Sequence, residues 1–284
     1  IRGHKGWIRA LAVTHDGRYV VSVADDSIAK FWTMESGACV HELRGHRSAI
    51  TAIDISSNGL RMITASIDTS VKLWEIQSGI ELANLYEPRR GHAGALTSCK
   101  FHPEGSHFIT SSEDEAIKFW ELQSGRLLAA LRGHEASVLE VDYFPSGRRV
   151  VSVSLDHSIR LWDVESAKEL SKAAPHLGHL AAVRSCSVSP GDNVFVSGGD
   201  DNFLRVWDAR MKGLVRKLIS HSETITSVRF SPDGSSILSG SPDKSCRLWD
   251  LRGGLVKCWE DHRDTVSQVT FTPSNRHIVT GSWD

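Results

Sequence analysis

The stretch Leu131–Asp163 reads LRGHEASVLEVDYFPSGRRVVSVSLDHSIRLWD. It holds Gly133-His134, a hydroxyl at Ser152, an aspartate at Asp156 and a closing Trp162-Asp163. Val138, Val141 and Tyr143 alternate with polar residues before a Ser146-Gly147 turn. Val150, Val151 and Val153 follow, then the Asp156 turn, then Ile159 and Leu161 flanking Arg160. Alternation of period two, broken by turn residues, is the pattern of short β-strands.

The same residue types return along the whole chain. His4, His46, His92, His134, His179, His221 and His262 lie 42, 46, 42, 45, 42 and 41 residues apart. Turn aspartates follow at Asp26, Asp68, Asp114, Asp156, Asp201, Asp243 and Asp284. Four residues before each stands a hydroxyl: Ser22, Thr64, Thr110, Ser152, Ser197, Ser239 and Thr280. Six residues after the first six aspartates stands a tryptophan: Trp32, Trp74, Trp120, Trp162, Trp207 and Trp249. Asp16-Gly17, Asn58-Gly59 and Asp233-Gly234 supply hairpin-turn residues at the first turn of their units. No segment sustains a 3.6-residue period, which predicts very little helix.

This repeat resembles the WD40-repeat family over essentially the whole chain, with its Gly-His, turn Asp, closing Trp-Asp and period near 40–45 residues. Gly-His is intact in five units and becomes Ser220-His221 and Asp261-His262 in the last two. Trp-Asp is intact at Trp162-Asp163, Trp207-Asp208 and Trp249-Asp250, and relaxes to Trp74-Glu75, Trp120-Glu121 and Trp32-Thr33 elsewhere. The resemblance implies an all-β fold, a seven-bladed WD40 β-propeller with blade 7 incomplete in this chain. It implies a single domain over 1–284, with units roughly at 4–43, 46–88, 92–131, 134–176, 179–218, 221–259 and a partial 262–284. Six complete blades and two strands of a seventh are expected. The chain lacks an initiator methionine and stops inside a repeat, so it reads as part of a longer protein.

Composition narrows the function. Lys and Arg number 33 against 34 Asp and Glu, a formal net charge of -1. There is no global basic field, so direct nucleic-acid binding is not expected. No apolar run approaches the ~18 residues of a membrane span and no signal-peptide pattern opens the chain, so no membrane partner is expected either. Cys39, Cys99, Cys186, Cys246 and Cys258 form no CxxC pair, and Cys99 and Cys186 fall at apolar strand positions. Buried free thiols point to a reducing compartment, cytoplasm or nucleus.

His, Ser and Asp together invite a nucleophilic-catalysis reading. A catalytic site needs one constellation, whereas this one occurs seven times. A hydrogen-bond chain from Trp through Ser/Thr and His to Asp instead satisfies each buried polar group and ties a blade's strands together; in the family these residues play that structural role. No GxSxG, P-loop or HExxH is present. His15, His41, His102, His107, His157, His176 and His277 show no metal spacing and read as solvated surface residues. No enzyme activity, cofactor or metal is expected.

Function then falls to surfaces. In related propellers the third and fifth residues after each histidine, and the residue before each turn aspartate, lie on the narrow top face and contact partners. Carried over, these positions are mostly small; the exceptions are Trp7, Arg9, Arg184, Ile67, Leu139, Leu155 and Trp283. Trp7 and Trp283 become neighbours when the ring closes and, with Arg9, resemble a binding hot spot. Ile67, Leu139 and Leu155 extend an apolar patch. Asp25, Glu113 and Asp200 ring the channel entry as a site for a basic peptide. An insertion at Glu87-Pro88-Arg89-Arg90 adds Arg89 and Arg90, and a second lies around Ala173–His176. Arg2, Arg44, Arg90 and Arg132 each precede a histidine by two, an arc suited to an acidic protein segment. The main expectation is a non-catalytic scaffold that binds proteins or peptide segments within a larger complex. The alternatives are a substrate receptor of a cullin-based ubiquitin ligase, from the WDxR boxes at Trp207–Arg210 and Trp249–Arg252, and the propeller domain of a larger enzyme.

Overall fold

The computed structural model describes residues 3–85, 90–172, 178–210, 213–219 and 221–284. These contain strands and turns and no helix, so none is long and apolar enough to cross a membrane. Six antiparallel sheets of four strands follow one another in chain order, and a seventh sheet has two. Blade 4 shows the plan, with strands Val138–Tyr143, Arg149–Ser154, Ile159–Asp163 and Lys168–Lys172 lying side by side in that order. The seventh sheet pairs Val266–Phe271 with Ile278–Ser282.

Each sheet's first strand is innermost and touches the first strand of the next sheet. Val266–Phe271 also touches Ile8–Val13, which closes the ring. The core is therefore divided among the gaps between sheets. Trp120 of blade 3 packs with Val71 and Leu73 of blade 2 in one cluster, and Trp162 of blade 4 packs with Ile117 and Phe119 of blade 3 in another. Between the seventh sheet and blade 1 there is instead a cavity of about 960 Å³ lined by Leu11, Val20, Trp32, Val279 and Trp283, among others.

Two local devices recur. First, a β-bulge interrupts the first hairpin of most sheets, skipping Arg9, Thr51, Thr97, Leu139, Arg184 and Ser267 in the pairing register. A bulge re-aims the extra side chain, and here it turns those residues toward the central channel. Second, the residue after each of the first six turn aspartates is left-handed without being glycine: Ser27, Thr69, Glu115, His157, Asn202 and Lys244, with φ between 63° and 68°. The aspartate side chain supports that turn, for example through Ser158 N–H donating to Asp156 Oδ1 at 2.8 Å.

Candidate interaction face

In blade 4 Trp162 Nε1 donates to Ser152 Oγ at 2.8 Å, and Ser152 Oγ lies 2.7 Å from His134 Nε2. His134 Nδ1 lies 2.9 Å from Asp156 Oδ2. The indole is only a donor and the carboxylate only an acceptor, which orders the protons: the serine donates to Nε2 and the histidine donates from Nδ1. The same three contacts join Trp32, Ser22, His4 and Asp26, Trp74, Thr64, His46 and Asp68, and Trp120, Thr110, His92 and Asp114. They also join Trp207, Ser197, His179 and Asp201, and Trp249, Ser239, His221 and Asp243. The seventh sheet holds the trio Thr280, His262 and Asp284. Each aspartate also accepts the backbone N–H following its histidine, as Glu135 N to Asp156 at 3.0 Å.

Desolvation holds the His92, His179 and His221 pKa values below the usual histidine range. For Asp68, Asp114, Asp156, Asp201 and Asp243, burial pushes upward, but hydrogen bonds and the adjacent histidine outweigh it and leave the carboxyls well below their usual range. Nothing in this pattern sets one quartet apart as a reaction centre.

A fifth partner was missed in the sequence. Two residues before each tryptophan stands a basic residue: Lys30, Lys72, Lys118, Arg160, Arg205 and Arg247. The first five are buried. Blades 1, 2 and 4 offer a glutamate from the outer strand, giving Lys30–Glu42, Lys72–Glu81 and Arg160–Glu169. Leu127, Leu214 and Leu255 stand opposite the tryptophans of blades 3, 5 and 6. There Lys118 donates to the carbonyls of Arg90 and Gly91, while Arg205 and Arg247 turn to Asp201 and Asp243. The six-fold recurrence was the available signal.

On the rim, the residue before the turn aspartate donates its N–H to the carbonyl three places after the histidine in six units: Asp25 to Trp7, Ile67 to Ala49, Glu113 to Ala95, Leu155 to Ser137, Asp200 to Ala182 and Trp283 to Thr265; in the sixth, Pro242 has no N–H to give. This pairing places the candidate residues in register, sheet by sheet. Trp7 and Trp283 stack with ring centroids 4.7 Å apart and planes 17° apart. Trp7 remains 52% exposed, whereas Trp283 Nε1 is buried with no partner. The Arg9 guanidinium lies 5.7 Å from the Trp7 ring centre.

The acidic entry expected from Asp25, Glu113 and Asp200 needs correction. Arg9 grips Asp25 side-on, Nε to Oδ1 at 2.7 Å and NH2 to Oδ2 at 2.9 Å. Arg184 takes the same pose on Asp200, with NH2 at 3.0 Å from Oδ2. Two of the three carboxylates are thus neutralised, and only Glu113 stands exposed without an ion pair among the described residues. Ile67 and Leu155 are exposed, and Leu139 is half-buried beside the channel. Leu180, 78% exposed just after His179, was not anticipated. Arg90 is exposed; Arg89 and the Ala173–His176 insertion lie outside the described residues, as does Arg2. Arg44 of the basic arc is bonded to Glu42 at 2.8 Å. His102 is no free surface histidine: its Nε2 lies 3.2 Å from Gly147 O of the next blade.

Inside the channel, side chains of one inner strand cap backbone N–H groups of the next. Asp54 accepts from Phe101, Glu140 from Cys186, Asp142 from Val188, and Ser185 from Val228. All five cysteines are free, and Cys99, Cys186 and Cys246 are buried. Among the described residues no group of three or more His, Cys, Asp or Glu side chains is placed to hold a metal.

The model of the WD domain, G-beta repeat, matches seven times, at residues 1–33, 37–75, 84–121, 125–163, 172–208, 212–250 and 253–284. The chain belongs to the WD40-repeat family and is a β-propeller. Propellers of this family generally bind other proteins or peptides and are typically non-catalytic. No curated protein matches the chain significantly.

Proposed function

We propose that this chain is a non-catalytic scaffold that holds protein partners of a larger complex on the top face of a seven-bladed ring, as one domain over residues 1–284. The observation that carries this reading is the exposed Trp7 stacked on Trp283 with Arg9 beside it. A large, half-exposed aromatic pair backed by an ion-paired arginine has the composition of an interface hot spot, and neither indole belongs to a quartet. The Leu11–Val20–Val279 cavity matches the gap that a third strand's apolar side chains fill elsewhere, which supports a completed seventh blade. Buried free thiols support a reducing compartment, cytoplasmic or nuclear. The ubiquitin-ligase reading is not favoured, because Arg210 of the first WDxR box folds back on Asp208 at 3.0 Å.

The test is quantitative recovery of partners from the native complex by wild type, Trp7→Ala and Arg9→Glu. Loss of the same partners in both variants, with wild-type melting, is expected. Unchanged recovery in both would refute the assignment of this face.

A further inference from the structure

We propose that the mouth of the central channel receives one carboxylate side chain, an aspartate or glutamate from an extended partner segment, between Arg9 and Arg184 and above Lys100 and Arg229. This rests on the top face being the binding face and names the partner's chemistry.

The channel cavity measures about 160 Å³ and opens among the bulge residues. Four cationic side chains line it, Arg9, Lys100, Arg184 and Arg229, each paired with one carboxylate, Asp25, Asp54, Asp200 and Glu140 respectively. Glu140 is fully engaged. Its Oε1 takes Arg229 NH2 at 2.7 Å, and its Oε2 takes Ser185 Oγ at 2.6 Å and Cys186 N at 3.0 Å. Deeper in, Asp54 accepts the Phe101 N–H and pairs with Lys100 at 3.2 Å, and Asp142 accepts the Val188 N–H.

The two rim arginines share one pose. Each commits Nε and NH2 to its aspartate, and among the described residues NH1 of each has no partner. Two guanidinium ends therefore keep donors for an incoming acceptor, and a charge-assisted bond from each is stronger than a neutral one. Thr51, Thr97 and Thr226 instead donate to carbonyls of the next blade. A lysine or arginine entering here has no acceptor to offer the two NH1 donors, and the nearby carboxylates are already engaged.

Size selects the source of the carboxylate. Sites for drug-sized molecules run to roughly 300–1,000 Å³, so this cavity suits one side chain of a chain lying on the face. Trp7, beside Arg9, gives the partner's neighbouring apolar residue a surface to cover.

The experiment uses pools of short peptides, random except for one fixed residue, Glu, Gln, Lys or phosphoserine, and measures their retention on the purified chain at near-physiological salt. The Glu pool is expected to exceed the Gln and Lys pools by about tenfold. Arg9→Gln with Arg184→Gln should bring it down to the Gln level, and the two Arg→Lys changes should restore part of the difference. Trp7→Ala should lower all pools together. Equal retention of Glu and Gln pools, preference for Lys, or binding of phosphoserine alone would overturn the proposal while leaving a Trp7-dependent face. Retention that ignores Trp7→Ala, or no retention of any pool, would sink the top-face reading itself and this proposal with it. Should the double Gln variant melt below wild type, Arg184→Gln alone is scored by the same criteria.

Discussion

Blade 4 and the seventh sheet carry the same histidine, hydroxyl and aspartate at the same spacing, yet they are different objects. In blade 4 the His134 and Asp156 side chains are 1% and 7% exposed; in the seventh sheet those of His262 and Asp284 are 25% and 28% exposed. The hydroxyl-to-histidine distances are 2.7 and 2.8 Å, so the bonds themselves hardly differ. What differs is Trp162, which caps Ser152 and is 2% exposed. The spacing sets the bonds, and the third strand with its indole removes them from water. Hydrogen bonds shared with water contribute little net stability, whereas a sealed network is costly to break.

That comparison can be broken by substitution. Trp162→Ala should have the largest effect. It removes a buried aromatic and leaves Ser152 without its donor, at a cost of about 3–5 kcal/mol by chemical denaturation. Next comes Ser152→Ala, which strands Trp162 Nε1 and His134 Nε2, each group costing about 1–3 kcal/mol. For residues 1–284 alone, the matching Thr280→Ala should cost below about 1 kcal/mol, because water replaces the hydroxyl, whereas in a completed seventh blade its cost should approach that of Ser152→Ala. Equal losses at Ser152 and Thr280 would show that burial is not what separates the two sheets.

The pH dependence follows from the same quartets. His92, His179 and His221 have folded pKa values below the unfolded value near 6.5, so below that pH the unfolded chain binds more protons. Their contribution is complete above pH ~6.5 and is lost as pH falls through it. The lowered turn aspartates contribute fully above their unfolded value of 3.8 and add a second, steeper loss as pH drops toward their folded values. A melting series from pH 8 downward should therefore decline in two stages, and a flat profile between pH 7 and 5 would contradict the histidine assignment. The smallest effect expected is at Glu115, whose φ of 67° favours glycine. Glu115→Gly should stabilise blade 3 by up to ~1 kcal/mol, after the ~0.4–1 kcal/mol by which glycine loosens the unfolded chain; a loss of melting temperature would count against it.

Much of the architecture is legible because it repeats. His134, Ser152 and Asp156 recur at one register in all seven units and Trp162 in six, and that recurrence separates the signal from the variable residues around it. Other features were in the sequence and passed over, notably Lys72 and its equivalents two residues before each tryptophan. The spacing of 16 that joins Arg9 to Asp25 also joins Arg184 to Asp200. Reading the rim as acidic treated each aspartate singly, and only the bulge at Arg9 and Arg184 brings the opposite charges together. Inter-blade contacts such as Glu140 with Arg229 were not legible, since residues 89 apart meet only after the ring closes.

The central claim is that quartets hold the fold while the rim binds, so the two can be damaged separately. The most direct measurement is retention of the same peptide pool by Trp7→Ala and Ser152→Ala at a temperature where both remain folded. Loss by about tenfold or more in Trp7→Ala, with wild-type retention by the less stable Ser152→Ala, is the predicted result. Wild-type retention by Trp7→Ala would contradict it.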